Sequence, residues 1–331
     1  MTLVSDPFVR AAGVQLRIPG TEREVLVAFL DTMFRSQPIR GPMDKPAVID
    51  FEASEVGSAD QDWEEVHGAR GLTVRRAGAV FRLDCGGTFL EIARPGQAAG
   101  RFSGCFWQQP LATQREFFLL ALLILLHQHG QFGLHANAVE RAGGSVLLVG
   151  PSGSGKTTLT IACLESGWAC LSDDALLLEQ RRDAVVALAL RRGFACDASF
   201  VQRFPRLRAH FDKAPRLVEG KRLLRLDSLF PRQVVPDCIP CAILFPRIDR
   251  GGLCEMSPMP ATEALFGLIQ QSPGILARLD TTRTQLETLR RLVEQAHAYR
   301  VVLGTDAARD PGVAVRQLES VLGSSRGRHR R

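Results

Sequence analysis

Residues 150–174 read GPSGSGKTTLTIACLESGWACLSDD, and the rest of the chain is organised around this stretch. Its opening, Gly150, Pro151, Ser152, Gly153, Ser154, Gly155, Lys156 and Thr157, is a full match to the phosphate-loop pattern G-x-x-x-x-G-K-[ST]. The apolar run Ser145–Val149 leads in, and the helix-forming run Thr158–Leu164 leads out, which is the strand–loop–helix context the pattern requires. Glycines at 150, 153 and 155 let the backbone wrap an anion, and their amides with the helix start form a nest for phosphate. Lys156 has the reach for β- and γ-phosphates, and the Thr157 hydroxyl, followed by Thr158, is placed to hold Mg²⁺.

Length and composition frame this motif. A chain of 331 residues is long enough for two domains with their own cores, and 45% hydrophobic with 23% charged residues is an ordinary globular balance. The formal net charge of +6 is partly concentrated in Arg326–Arg331, and no recognised nucleic-acid motif accompanies it, so a nucleic-acid partner is not expected. The opening residues Met1–Asp6 lack a basic segment and an apolar core, and the longest apolar run, Phe117–Leu126, is too short to span a bilayer. Eight scattered cysteines fit reduced thiols, so a cytoplasmic protein without membrane partners is expected. Cys238-Ile239-Pro240-Cys241 is a lone CxxC that runs into an apolar strand and lacks the second pair a structural metal site needs.

In the N-terminal third, Val14–Ile18 alternates like a strand, Arg23–Phe34 is helical in pattern, and Ala47–Phe51 reads as a further strand. Leu72–Arg76, Val80–Asp84 and Thr88–Ile92 form a meander with turns at Ala77-Gly78 and Gly86-Gly87. Residues 1–112 are therefore expected to be a small α+β domain, for structural support or for recognition and oligomer contacts, with Pro95–Pro110 as the connector. The second domain, 113–331, opens with a helix around Arg115–Gln128. Gly133–Glu140 then alternates as one strand and turns at Arg141–Gly144 into the strand before the loop.

That strand carries His135 next to the phosphate loop, where an imidazole can pair with phosphate charge or move a proton. Beyond the loop helix, Trp168–Leu171 reads as a short buried strand ending at Ser172-Asp173-Asp174. A carboxylate there can coordinate Mg²⁺, directly or through water, or accept a proton from an attacking hydroxyl. An Asp-Asp pair also commonly starts a turn, and the apolar run Leu176–Leu178 does continue as a strand. The coincidence of three such elements favours a reactive site.

His135, GPSGSGKT fifteen residues on, and then LSDD resemble the catalytic domain of the HPr kinase/phosphorylase family, over about residues 130–180. The resemblance implies an α/β fold with a phosphoenolpyruvate-carboxykinase-like P-loop core. It further implies ATP on Gly150–Thr158 with Lys156, Mg²⁺ on Thr157 and Asp174, and Asp173 as the base for a serine hydroxyl, with His135 in support. The family's Glu-Ile-Arg-Gly segment has Leu190-Arg191-Arg192-Gly193 as its counterpart, which keeps Arg192 and Gly193 and lacks the acidic residue. The missing acidic residue weakens the implication of a second metal ligand and of the phosphorylase reaction. The chain resembles divergent members that include kinases modifying ribosomally made peptides, such as lasso-peptide precursors at a terminal serine. The implied partner is a peptide or small-protein acceptor, and a homo-oligomer is compatible.

Residues 197–232 are rich in Arg and Lys, which is usually a solvated face. The sharper reading is an acceptor- or phosphate-clamping loop, with Lys221 and Arg222 as its candidates alongside Arg192. Ala261–Gln271, Thr282–Ala298 and Gly312–Leu322 read as helices, with a strand at Tyr299–Leu303. No LSGGQ-like or NKxD motif is present, which argues against ABC-type ATPases and GTPases. A small-molecule hydroxyl kinase, acting for example on free serine, and a non-catalytic ATP-binding regulator are the alternatives to a peptide kinase.

Overall fold

The computed structural model describes residues 8–11, 14–17, 22–34, 47–51, 62–94, 96–141, 144–191, 193–273 and 282–326. Two compact units emerge: Met1–Gln131 with Arg216–Lys221 in one, and Phe132–Pro215, Arg222–Leu276 and Thr282–Arg331 in the other.

The first unit is built on a sheet whose strands are β1 (Phe8–Ala11), β2 (Val14–Arg17), β3 (Val48–Asp50), β4 (Glu64–Ala69), β5 (Leu72–Ala77), β6 (Val80–Cys85), β7 (Thr88–Arg94) and β8 (Gln97–Arg101), in the order β1-β2-β3-β8-β7-β6-β5-β4. The expected meander is its antiparallel half, and it turns where Gly78, Gly86 and Gly87 take positive φ of 57°, 54° and 77°. Helix α1 (Arg23–Met33) buries Leu26, Phe29, Leu30 and Met33, a stripe at helical spacing.

Two expectations are corrected here. The stretch 95–110 is not a connector, since it contains β8, which lies between β3 and β7 in the sheet. The sequence QAAGR carries no β-branched or aromatic residue to announce a strand. Gly100 fits because a Cβ there would stand 2.1 Å from the Phe89 carbonyl oxygen. The apolar helix α2 (Leu111–His127) belongs to the first unit, so the boundary falls after Gln131 rather than at 112. Twelve of its 17 residues are buried, which suits a helix that is apolar all round. Its Phe117 and Phe118 join Phe106, Trp107 and Phe29 in an aromatic cluster of edge and tilted contacts. Among the described residues no helix is long and apolar enough to cross a membrane.

In the second unit, β10 (Ala136–Arg141) and β11 (Gly144–Val149) form the predicted hairpin. They lie in a sheet of order β12 (Ala169–Ser172), β10, β11, then the strands Pro240–Ile248, His297–Leu303 and Glu255–Pro258. β11 and the strands Pro240–Ile248 and His297–Leu303 run parallel, so their carboxyl ends share one edge. Leu147 and Val149 face one apolar layer and Val146 and Leu148 the other, so this sheet is buried on both faces. Helix α3 (Lys156–Glu165) lies in the second layer through Leu159, Ala162 and Cys163.

A second sheet carries the antiparallel hairpin of β13 (Leu176–Arg181) and β14 (Ala184–Ala189), with β9 (Gln131–Leu134) beyond β13. The expected single strand over 133–140 is thus two strands in two sheets, β9 and β10, with His135 at the crossing point between them. Helices occur at Ala261–Gln270, Thr282–Gln295 and Gly312–Arg326, close to their predicted places.

Candidate active site

The loop after β11 meets the geometric needs of its sequence. Gly153 and Gly155 have φ of 83° and 102°, a region that disfavours L side chains. A Cβ on Gly155 would also stand 2.4 Å from Leu303 Cδ1. Helix α3 begins directly at Lys156 behind this glycine, with no side chain capping its first turn. Its leading amides are thereby left to an incoming acceptor. Pro151, Ser152 and Gly153 are exposed, while Ser154 is buried with its Oγ lacking a hydrogen-bond partner. A buried hydroxyl without a partner, inside a cradle that tolerates no Cβ at its last glycine, fits a loop built to hold an anion.

Lys156 is 5% exposed. Its Nζ donates to the carbonyls of Gly150 at 2.6 Å and Pro151 at 3.1 Å, and lies 3.1 Å from His135 Nε2. Burial lowers its pKa against the opposing pull of Asp174 and Asp173. His135 Nε2 is also 2.7 Å from Asp174 Oδ1. One ring nitrogen cannot both donate to the carboxylate and accept from the ammonium. Since Asp174 is held ionised, the bonding assigns the Nε2 proton to the Asp174 contact and leaves one lysine hydrogen uncommitted. The His135 backbone N–H donates to the Gln271 carbonyl at 2.8 Å, which fixes the crossing between β9 and β10.

The two aspartates sit in opposite electrostatic settings. Asp173 is 2% exposed, and burial together with the Asp174 charge pushes its carboxyl up to about 7, against the pull of Thr157, Arg191 and Lys156. Its Oδ1 accepts from Thr157 Oγ1 at 3.2 Å and from Asn137 Nδ2 at 2.5 Å. Asp174, although desolvation pushes it upward, is held well below the usual carboxylate range by the hydrogen bond from His135 and the charges of Arg191, His135 and Lys156. Arg191 Nη1 donates to its Oδ2 at 2.8 Å. Asp174 has a φ of 63°, and Ala175 N–H bonds back to the Asp173 carbonyl at 2.8 Å, so the pair rides on a tight turn with Asp174 at its apex. The turn reading of Asp-Asp holds, and the turn places both carboxylates beside the loop.

The structure therefore brings together His135, the loop, Lys156, Thr157, Asp173 and Asp174. Thr157 bonds to Asp173 rather than to Asp174, the partner assigned to it as a fellow metal ligand. Arg192 lies outside the described residues. Arg222 is bonded to the Ala214 carbonyl at 2.6 Å and lies over the Phe211 ring, so it braces its own segment. Lys221 is exposed and belongs to the first unit. The basic run is largely a solvated face, with Arg203, Arg206, Arg208, Lys213, Arg216 and Arg232 all exposed. Cys238 and Cys241 are free thiols, and burial pushes Cys238 up to about 12.

Two contributors escaped the sequence reading. Asn137 is fully buried and joins three groups: its Nδ2 donates to Asp173 and, at 2.8 Å, to Thr160 Oγ1, while its Oδ1 accepts from Asp174 N–H at 2.9 Å. A lone amide inside the apolar strand Ala136–Val139 was the available signal. Arg191 stands beside the residue chosen, Arg192. It is delivered by Ser172, whose Oγ accepts from Arg191 N–H at 3.0 Å and donates to the Ala175 carbonyl at 2.5 Å. Among the described residues no three His, Cys, Asp or Glu side chains form a metal cluster, so a cation here would take hydroxyl, carboxylate, water and phosphate oxygens.

No protein-family model matches the chain. No curated protein matches it. Among solved structures it is similar to the Hpr(Ser) kinase/phosphatase from Coxiella burnetii, with 12% identity over 58% of this chain and 98% of that one, at a TM-score of 0.30. Superposition at that level leaves the functional assignment to the site geometry.

Proposed function

We propose that this chain is an ATP- and Mg²⁺-dependent kinase with an HPr-kinase- and phosphoenolpyruvate-carboxykinase-like core, passing the γ-phosphoryl group to a serine-type hydroxyl on a peptide or small protein. One observation carries the reading. A buried carboxyl pushed up to about 7, Asp173, is fixed by Asn137 and Thr157 at the head of a phosphate loop whose lysine points back into it. A carboxyl that takes a proton near neutral pH at this place is suited to act as a general base.

The residues divide the work by charge. The loop amides, the Ser154 hydroxyl and Lys156 hold the phosphates of ATP. Both hydrogen bonds to Asp173 fall on Oδ1, which leaves Oδ2 to take the proton of the acceptor hydroxyl. Asp174, kept ionised by His135 and Arg191, and Thr157 are the groups that would hold Mg²⁺, directly or through water. The ion, when bound, neutralises charge on the transferring phosphoryl group. Lys156 adds positive charge at the same place, and His135 orients Asp174.

Binding and transfer separate in the test. Asp173→Asn keeps ATP binding and loses transfer to a serine-terminated precursor peptide, to HPr or to free serine, whichever accepts label in the wild type. Full transfer by Asp173→Asn removes the proposed base. Tight ATP binding by the wild type with no label on any acceptor favours the non-catalytic regulator.

A further inference from the structure

The phosphate loop and the carboxylate pair say nothing directly about where the rest of a nucleotide lies, but the sheet order does. β12 and β10, which carry the Asp173-Asp174 turn and His135, lie on one side of β11. The strands Pro240–Ile248 and His297–Leu303 lie on the other side, with their carboxyl ends at the same edge as the loop. If the γ-phosphoryl group meets Asp173, a triphosphate lying along the loop delivers its nucleoside toward those two strand ends. Ligands of open parallel sheets occupy this carboxyl edge.

Apolar surface is exposed there. Ile248 ends its strand at 49% exposure, and Leu253, five residues on, is at 71% the most exposed large apolar side chain among the described residues. Ile248 is adjacent to the loop: its Cγ1 stands 3.6 Å from the position of a Cβ on Gly155. It pairs in register with Leu303, which touches the same glycine position. The segment between Ile248 and Cys254 is pinned. Asp249 N–H donates to the Leu303 carbonyl at 3.0 Å, Thr305 N–H to the Gly252 carbonyl at 2.9 Å, and Cys254 N–H to Asp306 Oδ1 at 2.7 Å. A backbone fixed at three points therefore holds Leu253 exposed, with its Cα 2.6 Å from the position of a Cβ on Gly304, the residue after Leu303.

Resting on the nucleotide reading above, we infer that Ile248 and Leu253 form the ledge that receives the nucleotide base, packing aliphatic surface against its flat face. The base is held by apolar contact on a rigid rim, as nucleotide and cofactor pockets commonly hold their ring systems. This explains why Ile248 is left exposed at the end of a strand in which Ala242, Ile243 and Leu244 are buried.

The test compares ATP with inorganic tripolyphosphate, both with Mg²⁺, by calorimetric titration of wild type, Leu253→Ser and Ile248→Ser. Loss of one packed aliphatic contact weakens ATP binding about tenfold. Tripolyphosphate, which has no base, binds all three proteins alike. Leu253→Ser is the decisive variant, since Leu253 contributes to no buried core and its loss leaves the fold intact, as a thermal scan verifies. Equal weakening of both ligands, or no weakening of either, overturns the ledge while leaving the phosphate site standing. A wild type that binds neither ligand overturns the nucleotide reading, and the ledge falls with it.

Discussion

A carboxyl that serves chemistry by being buried must cost stability, and the cost has a sign in pH. In the folded, metal-free protein Asp173 titrates near 7, against an ordinary value of 3.8. Between those values the folded state holds a proton that the unfolded state releases, so stability falls as pH rises through that window. The contribution is fully present below the unfolded value and is lost once pH passes the folded one. The loss over about pH 5 to pH 7 is on the order of a few kcal/mol. Asp174 is shifted in the opposite direction, and its titration lies below this window. Asp173→Asn removes the charge and keeps an oxygen for Asn137 and Thr157 to donate to. Metal-free variant and wild type, melted in chelator, should therefore be close in stability near about pH 5, with the variant several degrees more stable near about pH 7.5. A stability difference that is the same at both pH values, or a less stable variant at the higher one, refutes the account of Asp173.

Four further outcomes follow from named contacts. Asn137→Leu strips a donor from the buried Asp173 and Thr160 and an acceptor from Asp174 N–H, so denaturant titration should show a loss of about 2–4 kcal/mol. Gly155→Ala combines a φ of 102° with a contact of 2.4 Å to Leu303, and should both destabilise the protein and abolish ATP binding in a calorimeter. Gly153→Ala, at φ 83° with nothing within 4 Å, should cost only the backbone term of about 1–2 kcal/mol. Lys156→Ala should lose ATP binding or turnover while keeping its melting temperature within a few degrees, since a buried lysine with a lowered pKa adds little to stability.

What could be read in advance depended on whether the signal was local. The loop, its strand and its helix were legible because glycine spacing, an apolar run and a helical run sit next to one another in sequence. The meander over 72–92 was legible for the same reason, with its turns marked by glycines that do take positive φ. β8 was not, because QAAGR becomes a strand only through its neighbours β3 and β7. The break at His135 was hidden as well. Alternation runs straight through Gly133–Glu140, and only the existence of two sheets divides it. The cluster around Asp173 was half legible. Asp173, Asp174, Lys156 and His135 announce themselves by type and spacing. Asn137 and Arg191 act through hydrogen bonds across 36 and 17 residues, which no local pattern reveals. The basic run over 197–232 carried the opposite lesson, since its charges face solvent and Arg222 braces the chain beside it.

Transfer of label from γ-labelled ATP with Mg²⁺, measured for wild type and Asp173→Asn across HPr, a serine-terminated peptide and free serine, tests the central claim most directly. The account predicts label on one acceptor with the wild type and none with the variant, although both bind ATP. Equal labelling by the two proteins, or a wild type that does not bind ATP at all, contradicts it.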